Sequence, residues 1–212
     1  MELSQYADLN KQQVVSEIDN FTERRYAQFY KYFNKGARKV LDVGCNTGRG
    51  GQILRQLNND LEVTGLDVIE ERINKIPGGV YERLIVSRAD QVDVPTDFFD
   101  VAVAGEVIEH IHPNDILPVL KEMKRILKPG GRLLMTTPNP RALLVLLGRD
   151  DVIKDPSHLS LMRPSVLKGK LESCGFDNII VKGSGKMSNY VPDSFPLFTV
   201  FGSYLIIAAK PK

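Results

Sequence analysis

The chain has 212 residues, enough for one domain or one domain with an elaborated edge. Hydrophobic residues make up 42% and charged residues 25%, with a formal net charge of +2, which excludes general disorder and gives no electrostatic case for a nucleic-acid partner. Two cysteines, Cys45 and Cys174, are too few for a disulfide framework or a zinc site; the opening MELSQYADLNKQQ has no secretion-signal pattern, and no apolar run approaches the ~20 residues that span a bilayer, so a cytoplasmic protein without stable membrane insertion is expected.

The elements follow in chain order. Gln12 to Phe33 carries apolar residues at helical spacing among many charges and reads as one or two helices of an amino-terminal cap, residues 1–37. Arg38 to Val43 is a short buried strand running into the loop Gly44-Cys45-Asn46-Thr47-Gly48, and Arg49 to Leu57 is a helix. Leu61 to Leu66 is a second strand stopping at Asp67, and Val68 to Asn74 a short helix; Arg83 to Ser87 and Phe99 to Ala104 are the third and fourth strands. Ile116 to Leu127 places Ile116, Val119, Leu120, Met123 and Leu127 on one helical face; Pro129-Gly130-Gly131 breaks it, and Arg132 to Thr137 forms a fifth strand. Past Pro138 the regularity changes. Arg141 to Leu147 reads as a short apolar helix, Gly148 to His158 as a polar stretch, and Pro164 to Cys174 as a helix stopped by Gly175; Asn178 to Lys182 and Phe198 to Lys210 are the last two strands. Alternating strands and helices predict one α/β domain, a mostly parallel sheet with helices on both faces, elaborated at residues 138–163 and 185–197.

The strongest chemical signal is Val40-Leu41-Asp42-Val43-Gly44-Cys45-Asn46-Thr47-Gly48. Glycines at such a turn permit positive φ and let the backbone approach a ligand, and Asn46 is one of the few residue types that tolerate the left-handed region. Amides at the following helix start can hold a carboxylate. A dinucleotide loop is the competing reading, but its spacing is G-x-G-x-x-G, whereas here Asn46 and Arg49 hold the third and sixth positions. An acidic residue before the first glycine would also repel a pyrophosphate, and it suits a ligand carrying an ammonium and a sulfonium, as S-adenosylmethionine does. Asp67 lies 19 positions after Gly48, at the end of the second strand, where a carboxylate can accept both ribose hydroxyls; a helix cap is its bland alternative. Ala89-Asp90-Gln91 follows the third strand, and Asp90 there can accept from an adenine amino group.

VLDVGCNTG, GLDV, the AD of SRADQV, FFDVAVAGEVIEHI and LKEMKRILKPGGRLLMTTPN together resemble the ordered motifs of class I methyltransferases over residues 38–140, with weaker similarity beyond. The chain is most similar to the branch with coenzyme Q biosynthesis and sugar or natural-product O-methyltransferases. The resemblance implies a Rossmann-like seven-stranded sheet with an antiparallel last strand, residues 38–137 forming the cofactor-binding core, and S-adenosylmethionine as cofactor with S-adenosylhomocysteine as product. It implies cofactor contacts from Asp42, Gly44, Cys45, Asn46, Thr47, Gly48, Asp67, Val68, Ala89, Asp90, Gly105 and Glu106, with Arg25 of the amino-terminal helix facing the cofactor carboxylate.

Ligands on open α/β sheets bind beyond the carboxyl ends of the strands. All three histidines, His110, His112 and His158, fall in segments predicted there. A hydroxyl acceptor must lose a proton, which suits a histidine. His158, in the polar segment Lys154-Asp155-Pro156-Ser157-His158, is the first candidate base, with Asp155 able to orient it; His110 is the second, with loop orientation as its structural alternative; His112 reads as a capping residue. No metal is expected, because strand five ends in Thr136-Thr137-Pro138-Asn139 without a carboxylate. The segment after strand four lacks the Asn/Asp-Pro-Pro-aromatic tetrapeptide of amino-group methylation. RALLVLL reads as a core or lid helix, and Tyr190, Phe195 and Phe198 as candidate pocket or packing aromatics. The expectation is therefore O-methylation of a small-molecule, sugar or glycan hydroxyl. Nitrogen methylation of protein or RNA and a non-catalytic cofactor-binding module are the competitors; the sequence leaves the oligomeric state open.

Overall fold

The computed structural model describes residues 1–11, 20–148, 154–185 and 202–212. The segment expected to elaborate the acceptor side beyond Gly185, with Tyr190, Phe195 and Phe198, lies outside them, as does the first part of the helix read over Gln12 to Phe33.

Seven strands form one sheet: β1 (Lys39–Val43), β2 (Glu62–Asp67), β3 (Arg83–Val86), β4 (Phe99–Gly105), β5 (Leu127–Pro138), β6 (Asp177–Ser184) and β7 (Ser203–Ala209). Their order is β3-β2-β1-β4-β5-β7-β6; β7 runs antiparallel to both neighbours and all other pairings are parallel. The Rossmann-like sheet with an antiparallel last strand is thus observed. Residue-by-residue alternation divides the core. Leu41, Ala102, Leu133 and Ile206 point to one face, and Val40, Val101, Leu134 and Leu205 to the other. Helices cover both faces: α5 (Ile116–Ile126) and α7 (Pro164–Ser173) on the first, α2 (Phe21–Tyr30) and α3 (Arg49–Leu57) on the second.

Helix α5 buries Ile116, Val119, Leu120 and Met123, as its spacing predicts, with Ile126 completing the face in place of Leu127, which begins β5. Helix α7 stops as expected: Gly175 takes φ +80°, and Phe176 N–H donates to the Leu171 carbonyl while Gly175 N–H donates to Glu172. Strand β5 departs from expectation. It begins at Leu127 rather than Arg132, because the Pro-Gly-Gly segment is absorbed as an irregularity in the ladder. Phe99 pairs with Leu127 and Val101 with Arg132, Gly130 takes φ +78°, and Gly130 and Gly131 exchange hydrogen bonds with Lys210. The connections also hold α4 (Glu70–Ile73) and α6 (Leu143–Leu146). Leu146 and Leu147 are both 70% exposed, so these two leucines of RALLVLL are not core residues.

One element carries no trace in the expected helices: α1 (Leu3–Lys11). It lies over the carboxyl ends of β2 and β3. Its contacts are Lys11 with Glu71, the Asn10 carbonyl with Arg72, and Tyr6 with Asp115.

Candidate active site

The parallel strands β1, β2, β3 and β4 end at a common edge, and a cleft of about 790 Å³, counting its open mouth, lies there. The turn after β1 sets its floor. Gly44 (φ +71°), Asn46 (φ +48°) and Gly48 (φ +87°) all hold left-handed backbone, which folds the strand sharply into α3. A methyl group on Gly44 would meet Val107 Cγ2 at 2.6 Å, so the turn presses against the segment leaving β4. The turn is tied to β2: Gly44 and Cys45 N–H both donate to the Leu66 carbonyl, and Asn46 N–H donates to Asp67 Oδ2 at 2.8 Å. Asp67 also accepts Ile69 N–H at 3.0 Å. These bonds leave lone pairs on a carboxylate that borders the cleft, and burial raises its pKa.

Asp42 is placed differently. It is fully buried and does not line the cleft; Tyr26 donates to one oxygen at 2.5 Å and Tyr81 to the other at 2.7 Å. Burial pushes its pKa up to about 6, against the pull of those two hydroxyls. Both tyrosine rings seat against α3: a methyl on Gly50 would collide with Tyr26 and one on Gly51 with Tyr81. The acid therefore fastens α2 and the segment before β3 under the first turn of α3. Cys45 is buried too, its Sγ packed near Gly65, and burial pushes its thiol pKa up.

At the other end of the cleft, Arg88 clamps Asp90 with two hydrogen bonds, of 2.8 and 2.6 Å. The same guanidinium lies 5.6 Å from the Tyr6 ring centroid and 3.6 Å from Asp115. Tyr6 donates to Asp115 at 2.6 Å and accepts His112 N–H at 3.0 Å, so α1 is latched to the loop after β4.

That loop leaves β4 through Gly105 and Glu106 (φ +56°) into a single turn of 3₁₀ helix, Ile108–His110. A methyl on Gly105 would meet Arg25 Cδ at 2.7 Å, and Arg25 stands 3.6 Å from Glu106. Glu109 is fully buried with neither carboxylate oxygen hydrogen-bonded; the Thr137 hydroxyl stands by without completing a bond. Burial, with Glu106 beside it, drives its pKa upward. His110 borders the cleft, and its Nδ1 lies 3.0 Å from the Ser157 carbonyl. A carbonyl only accepts, so Nδ1 carries the proton and Nε2 the lone pair. The segment bearing Ser157 is fixed by Ser160 N–H on the Glu109 carbonyl, and by Asp155 accepting both the hydroxyl and the N–H of Ser157. His158 thereby sits with its ring 4.9 Å from that of His110.

A family model described as a methyltransferase domain matches residues 18–181. The chain belongs to the class I methyltransferases. The ubiquinone biosynthesis O-methyltransferase of Aliivibrio fischeri is 29% identical over 151 residues, covering 64% of this chain and 62% of the relative. The human mitochondrial ubiquinone biosynthesis O-methyltransferase is 30% identical over 162 residues, covering 68% of this chain and 43% of the relative. A SAM-dependent methyltransferase structure from Archaeoglobus fulgidus is similar with a TM-score of 0.70 and 26% identity, covering 89% of this chain and 92% of that one. The methyltransferase spans about 60% of the length of the first curated relatives it matches.

Its cleft fits S-adenosylmethionine, the family's methyl donor. The turn brings backbone to the floor, and Asp67 and Asp90 border the cleft. Of the residues expected to contact the cofactor, Gly44, Asn46, Asp67, Val68, Ala89, Asp90, Gly105 and Glu106 line the cleft of the methyltransferase; Arg25, Asp42, Cys45, Thr47 and Gly48 do not. His110 lines it and His158 is its neighbour. Sequence reasoning missed Tyr6, Asn10, Arg72, Arg88 and Asp115. Only Arg88 carried a signal, standing two positions before an acid already singled out.

Proposed function

We propose that this methyltransferase moves a methyl group from S-adenosylmethionine to a hydroxyl of a small-molecule, sugar or glycan acceptor, in the cytoplasm. Bound S-adenosylmethionine supplies a methyl on a sulfonium and leaves as S-adenosylhomocysteine. The chain's own part is positioning and proton handling. Asp67 accepts from the ribose hydroxyls, and the Arg88–Asp90 pair faces the adenine edge. The turn from Gly44 to Gly48, with Arg25 behind Glu106, holds the amino-acid end. Asp42 is a positioning residue: it acts through Tyr26 and Tyr81, which seat α3 and with it the turn.

The observation that carries the hydroxyl reading is His110. It borders the cofactor cleft, its tautomer is set by Ser157, and the lone pair on Nε2 can take an acceptor's proton. His158 stands beside it as the second proton acceptor. The names of the Aliivibrio and human relatives support the same reading. No described helix is long and apolar enough to cross a membrane, and both cysteines are free and buried, in keeping with a reducing compartment.

A screen of hydroxyl and amine acceptors coupled to S-adenosylhomocysteine release tests the proposal, run beside His110→Ala and His158→Ala. Turnover of a hydroxyl acceptor that falls about 100-fold in His110→Ala is expected. Turnover confined to amines, or a hydroxyl reaction indifferent to both substitutions, overturns it.

A further inference from the structure

The turn after β3 delivers two opposite charges to the cleft side by side. Gln91 N–H donates to the Arg88 carbonyl at 3.1 Å, and the Ser87 hydroxyl to the Gln91 carbonyl at 2.7 Å. Arg88 and Asp90 therefore stand on a closed turn, with buried Ala89 between them, and both line the cleft. Arg88 Nε donates to Asp90 Oδ1 at 2.8 Å and Nη2 to Oδ2 at 2.6 Å, a two-pronged fork that holds the plane of the carboxylate. Each Asp90 oxygen keeps a further lone pair, and a carboxylate paired in this way only accepts hydrogen bonds.

The guanidinium also reaches beyond its own turn. Its Nη1 donates to the Met1 carbonyl, and the Tyr6 ring centroid lies 5.6 Å from its carbon. Asp115 Oδ1 stands 3.6 Å from the Nη2 that bonds Asp90, so two carboxylates share one cation. All three side chains are at most 15% exposed, which leaves little water to screen them. Ile111 and Val119 line the same cleft and offer apolar walls to a flat base.

We propose that Arg88 sets the nucleobase specificity of the cofactor site: acting through Asp90 as a positioning residue, it admits a purine whose edge carries an amino group and turns away one carrying an oxo group. This deepens the reading above and rests on its placing of the cofactor's base at Asp90. An amino N–H meets an acceptor already held in plane. A carbonyl oxygen meets a carboxylate that has no hydrogen to give and that the fork keeps from turning aside. Without the guanidinium, Asp90 is free to rotate and Asp115 repels it as a like charge. A base then finds no fixed acceptor, and the two edges bind alike. Tyr6 bonds to Asp115 and His112 rather than to Asp90, so loosening α1 lowers affinity for both bases and leaves the choice between them intact.

The test is calorimetric titration of S-adenosylhomocysteine and of S-inosylhomocysteine, which has an oxo group where adenine has its amino group. Both ligands are titrated into the parent, Arg88→Ala, Arg88→Lys and Tyr6→Ala. The parent should prefer the adenosyl ligand about 100-fold, the value of a hydrogen bond to a charged group. That preference should fall below about 10-fold in both Arg88 variants, whereas Tyr6→Ala should weaken both ligands and keep it. Arg88→Lys retains the charge facing Asp90 and Asp115 and so keeps the fold, but an ammonium cannot span both oxygens as the fork does. A parent that binds both ligands alike, a preference kept in both Arg88 variants, or one lost equally in Tyr6→Ala overturns the proposal and leaves the cofactor reading standing. A parent that binds neither ligand overturns the cofactor reading, and the proposal with it.

Discussion

Asp42 shows how a residue can sit inside a recognised motif and act one layer behind the ligand. The motif reading gives it a charge for the cofactor; the structure gives both its oxygens to tyrosine hydroxyls. Nothing in the local sequence signals this, because Tyr26 and Tyr81 lie 16 and 39 positions away. The consequence is testable through pH. The folded pKa of about 6 stands above the ordinary carboxylate value of 3.8, so between those values the folded state binds a proton that the unfolded chain has lost. Stability from this group is therefore present at low pH and falls as pH rises through that window. Asp67, Cys45 and Arg25 are the other charged or titratable neighbours of the Asp42–tyrosine cluster and stay in place in both proteins. Urea unfolding of Asp42→Asn against the parent should show their stability difference moving toward the Asn variant by on the order of 3 kcal/mol between pH 4 and 7. A pH-independent difference would contradict this burial. Gly44 is the second residue-scale case, and it was legible: a turn ligand site needs positive φ and close approach. Gly44→Ala meets both a strained φ and Val107 at 2.6 Å, so S-adenosylhomocysteine affinity should fall at least about 10-fold, read by calorimetry.

At the scale of elements, the strands and the helices between them were readable because periodicity and burial coincide. The buried face of α5 is the face its spacing names, and Leu120→Ala should cost about 2–5 kcal/mol in chemical unfolding. A cost under 1 kcal/mol would mean that α5 does not pack on the sheet as described. Helix α1 was not readable. Leu3–Lys11 has only Tyr6 buried, and its attachment is polar: Asp115 for Tyr6, Arg72 for the Asn10 carbonyl, Glu71 for Lys11. Such partners are fixed by tertiary contact and leave no period in the sequence. Tyr6 and Asn10 of α1 line the cleft proposed to hold the cofactor. Tyr6→Ala should speed S-adenosylhomocysteine release about 10-fold or more in stopped flow while leaving the sheet's circular dichroism intact. An unchanged release rate would remove α1 from the site.

For the whole molecule, the order β3-β2-β1-β4-β5-β7-β6 matters because it gathers segments far apart in the chain at one edge. Those expected residues that do line the cleft were legible because each sits at or just past a strand end: the turn after β1, Asp67 at the end of β2, Asp90 after β3, Glu106 after β4. The acceptor half was only partly so. His110 and His158 were picked out by residue type, but Glu109 was passed over as part of a loop motif. Its isolation from hydrogen-bonding partners is a property of three-dimensional burial, which spacing does not express.

The central claim is that the cleft holds an amino-acid sulfonium nucleoside. Isothermal titration of S-adenosylhomocysteine and of NAD into the same protein, beside Asp67→Ala, tests it most directly. One S-adenosylhomocysteine site per chain is expected, weakened about 10-fold or more by Asp67→Ala, with no heat from NAD. Saturable NAD binding with no response to S-adenosylhomocysteine would contradict it.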